Sequence, residues 1–204
     1  MAIGSDTNPW FAIWWEPKRT VRTLVQTNAK LQLGWLCFLY GLQMALNFAQ
    51  SYSLIEFLPL WAILFSSLIV APFIGILGLS LSAWLLQWTG KLVGGKGEFQ
   101  NIRCAVALSN VPNVFTILMW GVLIGCFGKE ALYHDFMETP FVGYQAGILF
   151  LVFLMESIAS IWGFVILLKG LSEVQNFSVW KALINVVIPI VGLFGLLWIT
   201  AQIF

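Results

Sequence analysis

Glu156 is the residue whose type and position most invite chemistry. It lies near the middle of "LVFLMESIASIWGF", residues 151–164, a run with no other charge. A charge at the centre of a membrane helix costs about 3 kcal/mol or more, so an isolated one points to a purpose. Ser160 and Gly163 follow four and seven positions later, on the same helical face. An earlier run carries Tyr40, Gln43, Asn47 and Gln50 at spacings of three and four, and another carries Ser109, Asn113 and Thr116. Such stripes avoid lipid, where their hydrogen-bonding groups go unmet. The expectation is an intramembrane polar cluster of Glu156, Gln43, Asn47, Asn113 and Ser160. Two chemistries fit it. Glu156 would bind a proton or cation in a polar cavity, or it would tie helices or subunits together. No basic residue lies at its depth, so burial favours the neutral acid, which both donates and accepts. Gln43, Asn47 or Asn113 is the expected partner. The structural tie stands slightly ahead, because proton-coupled transporters generally carry more than one such group.

Other reactive constellations are missing from the sequence. It holds no paired carboxylates and no Cys/His dyad, so no catalytic residue, enzyme activity or cofactor is expected. Cys37, Cys104 and Cys126 are far apart and read as buried thiols packed as small hydrophobes. His134 stands beside Asp135 and near Glu130 and Glu138; a solvated side chain is expected there, not a metal site. Gly94, Gly95 and Gly97 in "VGGKGEF" lack the P-loop spacing and a preceding strand. They read as a tight turn. Lys91, Lys96 and Arg103 around it would hold lipid phosphate or simply be solvated cations.

The elements that must position these residues follow from composition. Of 204 residues, 60% are hydrophobic and 9% charged, with a mean hydropathy of +0.89. Soluble domains carry about 25% charged residues, so the chain belongs to the membrane class. A net charge of +1 gives no reason to expect nucleic acid. A spanning helix needs about 20 mostly apolar residues. Five stretches qualify, at about 31–49, 58–88, 104–127, 144–168 and 180–203, with Pro72 inside the second and Pro112 inside the third. The expected fold is an all-α integral membrane protein: a five-helix transmembrane domain over 31–204, preceded by an interfacial segment over 1–30. Every Lys and Arg except Lys129 falls on one side of the alternation, Lys30 included. The positive-inside rule then puts the N-terminus in the cytoplasm and the C-terminus outside. Early charges such as Asp6 and Glu16 argue against a cleavable signal peptide.

In "NPWFAIWWEPKRTVRTLVQTN", Asn8 is suited to cap a helix with Pro9 at its first position. Pro17 would restart a second helix, with Val21, Leu24 and Val25 opposite Lys18, Arg19 and Arg22. Tryptophan favours the headgroup level and cations meet anionic lipid. Trp10, Trp14, Trp15, Lys18, Arg19 and Arg22 are therefore the expected interface contacts of an amphipathic segment.

Three stretches together resemble a known family: "NPWFAIWWEPKRTVRTLV", "GGKGEFQNIRCAVALSNVPNVF" and "GLSEVQNFSVWKALINVVIPI". With five expected spans, they are similar to the Yip-domain family of integral membrane proteins, over nearly the whole chain and nearest its bacterial branch. The resemblance implies a fold and a membrane location, here the bacterial cytoplasmic membrane. Eukaryotic members are associated with Rab GTPases and vesicle traffic, but the longer N-terminal region and Asp-Leu-x-Gly-Pro type motif of those members are absent here. Rab GTPase binding is accordingly not carried over.

Two functions stay open. One is a non-enzymatic protein that organises or shapes the membrane through lipids, through copies of itself or through other membrane proteins. The other is a small oligomeric channel or transporter for ions, small solutes or lipid, built on the polar cavity around Glu156.

Overall fold

The computed structural model describes residues 8–28 and 33–203. Lys30 and Leu31, the last cation of the N-terminal segment and the expected start of the first span, lie outside the described residues. Eight α-helices follow in order: α1 (Pro9–Trp15), α2 (Pro17–Asn28), α3 (Leu33–Ser51), α4 (Leu60–Leu92), α5 (Phe99–Ser109), α6 (Val114–Phe127), α7 (Tyr144–Val174) and α8 (Val179–Ile203). No strand occurs among the described residues. Leu60–Leu92, Val114–Leu132 and Tyr144–Val174 are long and apolar enough to cross a membrane, and Val179–Gly195 is a shorter apolar helix. At about 1.5 Å per residue, α4 is roughly 50 Å long, more than the roughly 30 Å hydrocarbon core requires. Its exposed Phe65, Phe73 and Leu77, like Phe150 and Phe153 on α7, are apolar surface that water would not tolerate in such quantity.

The expected third span is interrupted. α5 ends at Ser109 and α6 begins at Val114. Pro112 lacks the N–H that would continue the helix, and it disfavours helical backbone in the residue before it. The chain turns instead, with Asn113 N bonded to Asn110 O at 3.0 Å and Val114 N to Val111 O at 3.2 Å. Pro72 and Pro189, by contrast, sit inside the continuous helices α4 and α8.

The chain divides into two compact units, with α4 and α7 each contributing to both. The first comprises Met1–Leu31, Leu79–Ser109 and Val165–Phe204. Here Asn8 Oδ1 accepts from Trp10 N at 3.1 Å and Pro9 opens α1, as the sequence predicts. Glu16 ends α1, and α2 restarts at Pro17. The apolar side of α2 packs inward: Val21 is fully buried and Leu24 nearly so, as is Ile13 on α1. Gly170 of α7 is the meeting point, since a Cβ there would stand 3.2 Å from Ala105 Cβ and 3.5 Å from Val21 Cγ2.

The second unit comprises Gln32–Gly78 and Asn110–Phe164. α3 and α4 cross backbone against backbone. A Cβ on Gly41 would overlap the Ala71 carbonyl, and one on Gly75 would overlap that of Cys37. The Tyr40 ring covers Gly78. Leu46, Ala49, Ile63, Trp120 and Leu132 form one buried cluster, and Leu123, Phe127, Ala131, Phe136 and Val152 another. The segment after α6 is therefore packed rather than loose. Phe127, Phe136 and Phe141 meet with ring centroids 5.1 Å apart in each pair. Gly121 and Gly125, four residues apart on α6, have open space where a Cβ would stand. Cys126, expected to be buried, is exposed, whereas Cys37 and Cys104 are buried. α6 turns the side bearing Gly121, Gly125 and Cys126 outward and buries the one bearing Trp120, Leu123 and Phe127.

Candidate functional site

The polar residues expected to cluster in the membrane all belong to the second unit. Asn47 Oδ1 accepts from Trp120 Nε1 at 3.2 Å. One turn on, Gln50 Nε2 donates to Ala131 O at 2.9 Å. Asn113 Nδ2 donates to Asn110 Oδ1 at 3.0 Å, tying off the break before α6. Glu156 and Gln43 are half-buried and Ser160 is exposed, so the face shared by Glu156 and Ser160 does not point wholly inward. No hydrogen bond joins the Glu156 side chain to Gln43, Asn47, Asn113 or any other described residue. Asn47 Oδ1 and Asn113 Nδ2 are instead engaged by Trp120 and Asn110.

His134 lies on an exposed turn, and its ring is engaged. Its backbone N–H donates to Ser53 Oγ at 3.0 Å, and the same oxygen lies 3.0 Å from Nδ1. The hydroxyl has one proton and two lone pairs, so it serves Nδ1 as donor or acceptor according to the ring's tautomer while still accepting the backbone N–H. Among the described residues, no group of three or more His, Cys, Asp or Glu could hold a metal ion.

In the first unit, two of the sequence stretches singled out above meet around Gln175, a residue the sequence reading did not select. α7 ends in a Schellman turn: Asn176 takes the left-handed position at φ +56°, with Phe177 N bonded to Ser172 O at 3.1 Å and Asn176 N to Glu173 O at 3.4 Å. Ser178 opens α8, accepting Lys181 N at 3.4 Å through Oγ and Ala182 N at 3.0 Å through its carbonyl. This turn sends the Gln175 side chain into the core, where only 1% of the residue is exposed. Nε2 donates to Leu86 O at 3.3 Å.

Glycine supplies the space. A Cβ on Gly90 or Gly95 would overlap the Gln175 amide, and one on Gly97 would stand 2.9 Å from its Cγ. The backbone closes over the same group: Lys96 N donates to Gln175 O at 3.2 Å, Gly95 N to Gly90 O at 2.8 Å, and Gln87 Nε2 to Gly97 O at 3.3 Å. The glycines expected to make a turn do so, with Gly94 at φ +84°, and they also admit Gln175. Deeper in this unit, the Thr89 hydroxyl donates to Asn185 Oδ1 of α8 at 2.6 Å. Asn185 is fully buried, and its Nδ2 has no partner among the described residues. Polar residues inside apolar runs were the signal that would have singled out Thr89 and Asn185.

The expected interface residues are also placed. Phe11, Trp15, Lys18, Arg19 and Arg22 are exposed, and Trp10 and Trp14 are half-buried. Arg19 pairs with Glu16 at 2.8 Å. Arg22 Nε donates to Glu173 Oε1 at 2.6 Å, and the carboxylate holds the guanidinium above its ordinary pKa. Every described cation except Lys129 belongs to the first unit. A family model described as Yip1 domain matches residues 11–201. No curated protein and no solved structure matches the chain.

Proposed function

The chain belongs to the Yip1-domain family and is an integral membrane protein, and on that premise we propose that it is a non-enzymatic protein that organises or shapes its membrane through lipid and protein contacts. The observation that carries this reading is the outward face of α1. Phe11 is 73% exposed and Trp15 86%, while Ile13 between them is fully buried. The helix is thus anchored on one side and offers two large apolar rings on the other, next to Lys18 and Arg19. That combination suits the headgroup level of a leaflet. A spin label on a Trp15→Cys variant tests it in vesicles: the label resides at headgroup depth. A label fully exposed to water rejects the reading. If α1 acts on the bilayer, Phe11→Ser with Trp15→Ser abolishes remodelling of reconstituted vesicles while the protein still inserts.

The same reading includes five spans, a cytoplasmic N-terminus and an external C-terminus in a bacterial cytoplasmic membrane. Its support is the confinement of the described cations, Lys129 excepted, to the chain segments that the positive-inside rule groups together. Tags at the two termini become accessible from opposite sides. Both on one side would end the five-span arrangement.

A second reading, a small channel or transporter, draws support from Glu156, a half-buried carboxyl without a partner among the described residues. Intramembrane carboxyls of this kind mark proton and ion paths.

A further inference from the structure

We propose that Lys91, Lys96 and Lys181 form a binding site for the phosphate headgroup of an anionic phospholipid, centred on the turn at Gly94. The site rests on the lipid-contact reading above and names a lipid class and a place for it.

Gly94 turns the chain at φ +84° between Lys91 and Lys96. Lys181 reaches the same turn from α8: a Cβ on Gly94 would stand 4.0 Å from its Nζ. All three lysines are exposed. The turn offers no spare backbone donors, because the N–H groups of Gly94, Gly95 and Lys96 bond Lys91 O, Gly90 O and Gln175 O. Attraction for an anion there comes from the ammonium groups alone.

These charges are uncompensated. Among the described residues, the ion pairs are Arg19–Glu16 and Arg22–Glu173, neither at this turn. Glu98, the carboxylate nearest in sequence, is exposed and pairs with no described cation. Like charges gathered at one turn repel, and a bound phosphate turns that repulsion into attraction. The turn is also held in place, since Lys96 N is fixed to the Gln175 carbonyl. Little ordering is therefore left for the ligand to impose.

The neighbours decide between a lipid and a free anion. Trp180 precedes Lys181 and is 78% exposed, and Leu92 follows Lys91 and is 62% exposed. A soluble phosphate has no use for such surface, whereas a phospholipid brings acyl chains to cover it.

The test uses the full chain in neutral detergent, titrated separately with dioctanoyl phosphatidylglycerol, dioctanoyl phosphatidylcholine and inorganic phosphate, with bound ligand read by native mass spectrometry. Phosphatidylglycerol binds tightest. Changing Lys91, Lys96 and Lys181 to Gln weakens it by about fivefold per lysine, the value of one cation near an anionic surface. Lys129→Gln leaves it unchanged. The single variants read the same effect should the triple variant not fold. Undiminished phosphatidylglycerol binding in the variants overturns the site. Inorganic phosphate binding as tightly as phosphatidylglycerol also overturns it, as does equal binding of the two lipids. Because this assay contains no bilayer, a protein that binds phosphatidylglycerol here yet fails the vesicle tests keeps the site and loses the membrane-shaping reading.

Discussion

Arg22 and Glu173, 151 residues apart in sequence, are joined by a hydrogen bond of 2.6 Å from Nε to Oε1. The carboxylate side is the more protected, at 18% exposure against 61% for the guanidinium. The bond fastens α2 to the end of α7, and α1, which presents Phe11 and Trp15, directly precedes α2 in the chain.

Breaking this bond loosens α2 without unfolding the chain. In Arg22→Gln or Glu173→Gln, the backbone amides of Val21 and Leu24 exchange faster with solvent than in the native protein. The charge reversal Arg22→Glu with Glu173→Arg restores part of the protection. Glu173 raises the Arg22 pKa, so the guanidinium's contribution is complete below its unfolded value and is lost only as pH rises through the higher folded one. Deprotonation of Arg22 therefore costs nothing between about pH 6 and 9. An α2 protection that falls through that range on Arg22's account would contradict this.

The glycine setting of Gln175 predicts a compensating pair. Gly95→Ala forces a methyl into the buried amide and destabilises by about 1–3 kcal/mol. Gln175→Ala empties the site and forfeits the bond to Leu86 O, at a cost of about 2–4 kcal/mol. The double variant is more stable than the sum of the two losses allows, because the methyl then enters vacated space. Thermal unfolding of all four proteins in one detergent measures the coupling. Strict additivity would mean that the two residues do not share the site.

Glycines of similar sequence appearance should differ in consequence. Gly41→Ala and Gly75→Ala each drive a Cβ into a backbone carbonyl of the facing helix. Backbone yields less readily than a side chain, so the loss reaches about 3 kcal/mol or more. Gly121→Ala and Gly125→Ala meet open space and shift stability by less than about 0.5 kcal/mol. The melting temperatures of the four variants rank them directly.

Glu156 separates the two functional readings. With no described partner to orphan, Glu156→Leu keeps or raises thermal stability, since it removes a half-buried polar group at no cost in hydrogen bonds. Glu156→Gln folds normally. If the chain is a transporter, Glu156→Gln abolishes ion flux in liposomes or its pH dependence. If it organises the membrane without transport, neither variant changes a flux that is absent. A stability loss of about 2 kcal/mol in Glu156→Leu would restore the idea of a hydrogen-bonded tie.

What could be read from the sequence was what depends on neighbours in the chain. The Asn8 cap, Pro9 at the start of α1 and the restart at Pro17 are local rules, and they appear as expected. The long apolar runs gave α4 and α7 for the same reason. Proline was harder: Pro72 and Pro189 remain inside helices while Pro112 ends one. Pro112 is flanked by Asn110 and Asn113, whose side chains bond each other once the ladder is broken. Gln175 was missed because the glycines that admit it lie about 80 residues earlier, and no periodicity links them. Spacing also put Asn47 and Glu156 on the polar faces of their helices. It could not show that Trp120, an apolar-looking residue with one N–H, would take the Asn47 amide.

The tie between Asn47 and Trp120 spans 73 residues, and those from Gln50 to Ala131 and from Ser53 to His134 each span 81. A ribosome adds about 5–20 residues per second, so each newly made donor or acceptor near the end of α3 waits roughly 4–16 s for its partner to be synthesised. During that interval the nascent helix carries amide groups that only water, headgroups or a foreign chain can satisfy. The rate at which the later segment emerges thus competes with every such encounter, and slowing translation between Ser53 and Trp120 would lengthen the exposure without altering a single residue of the finished protein.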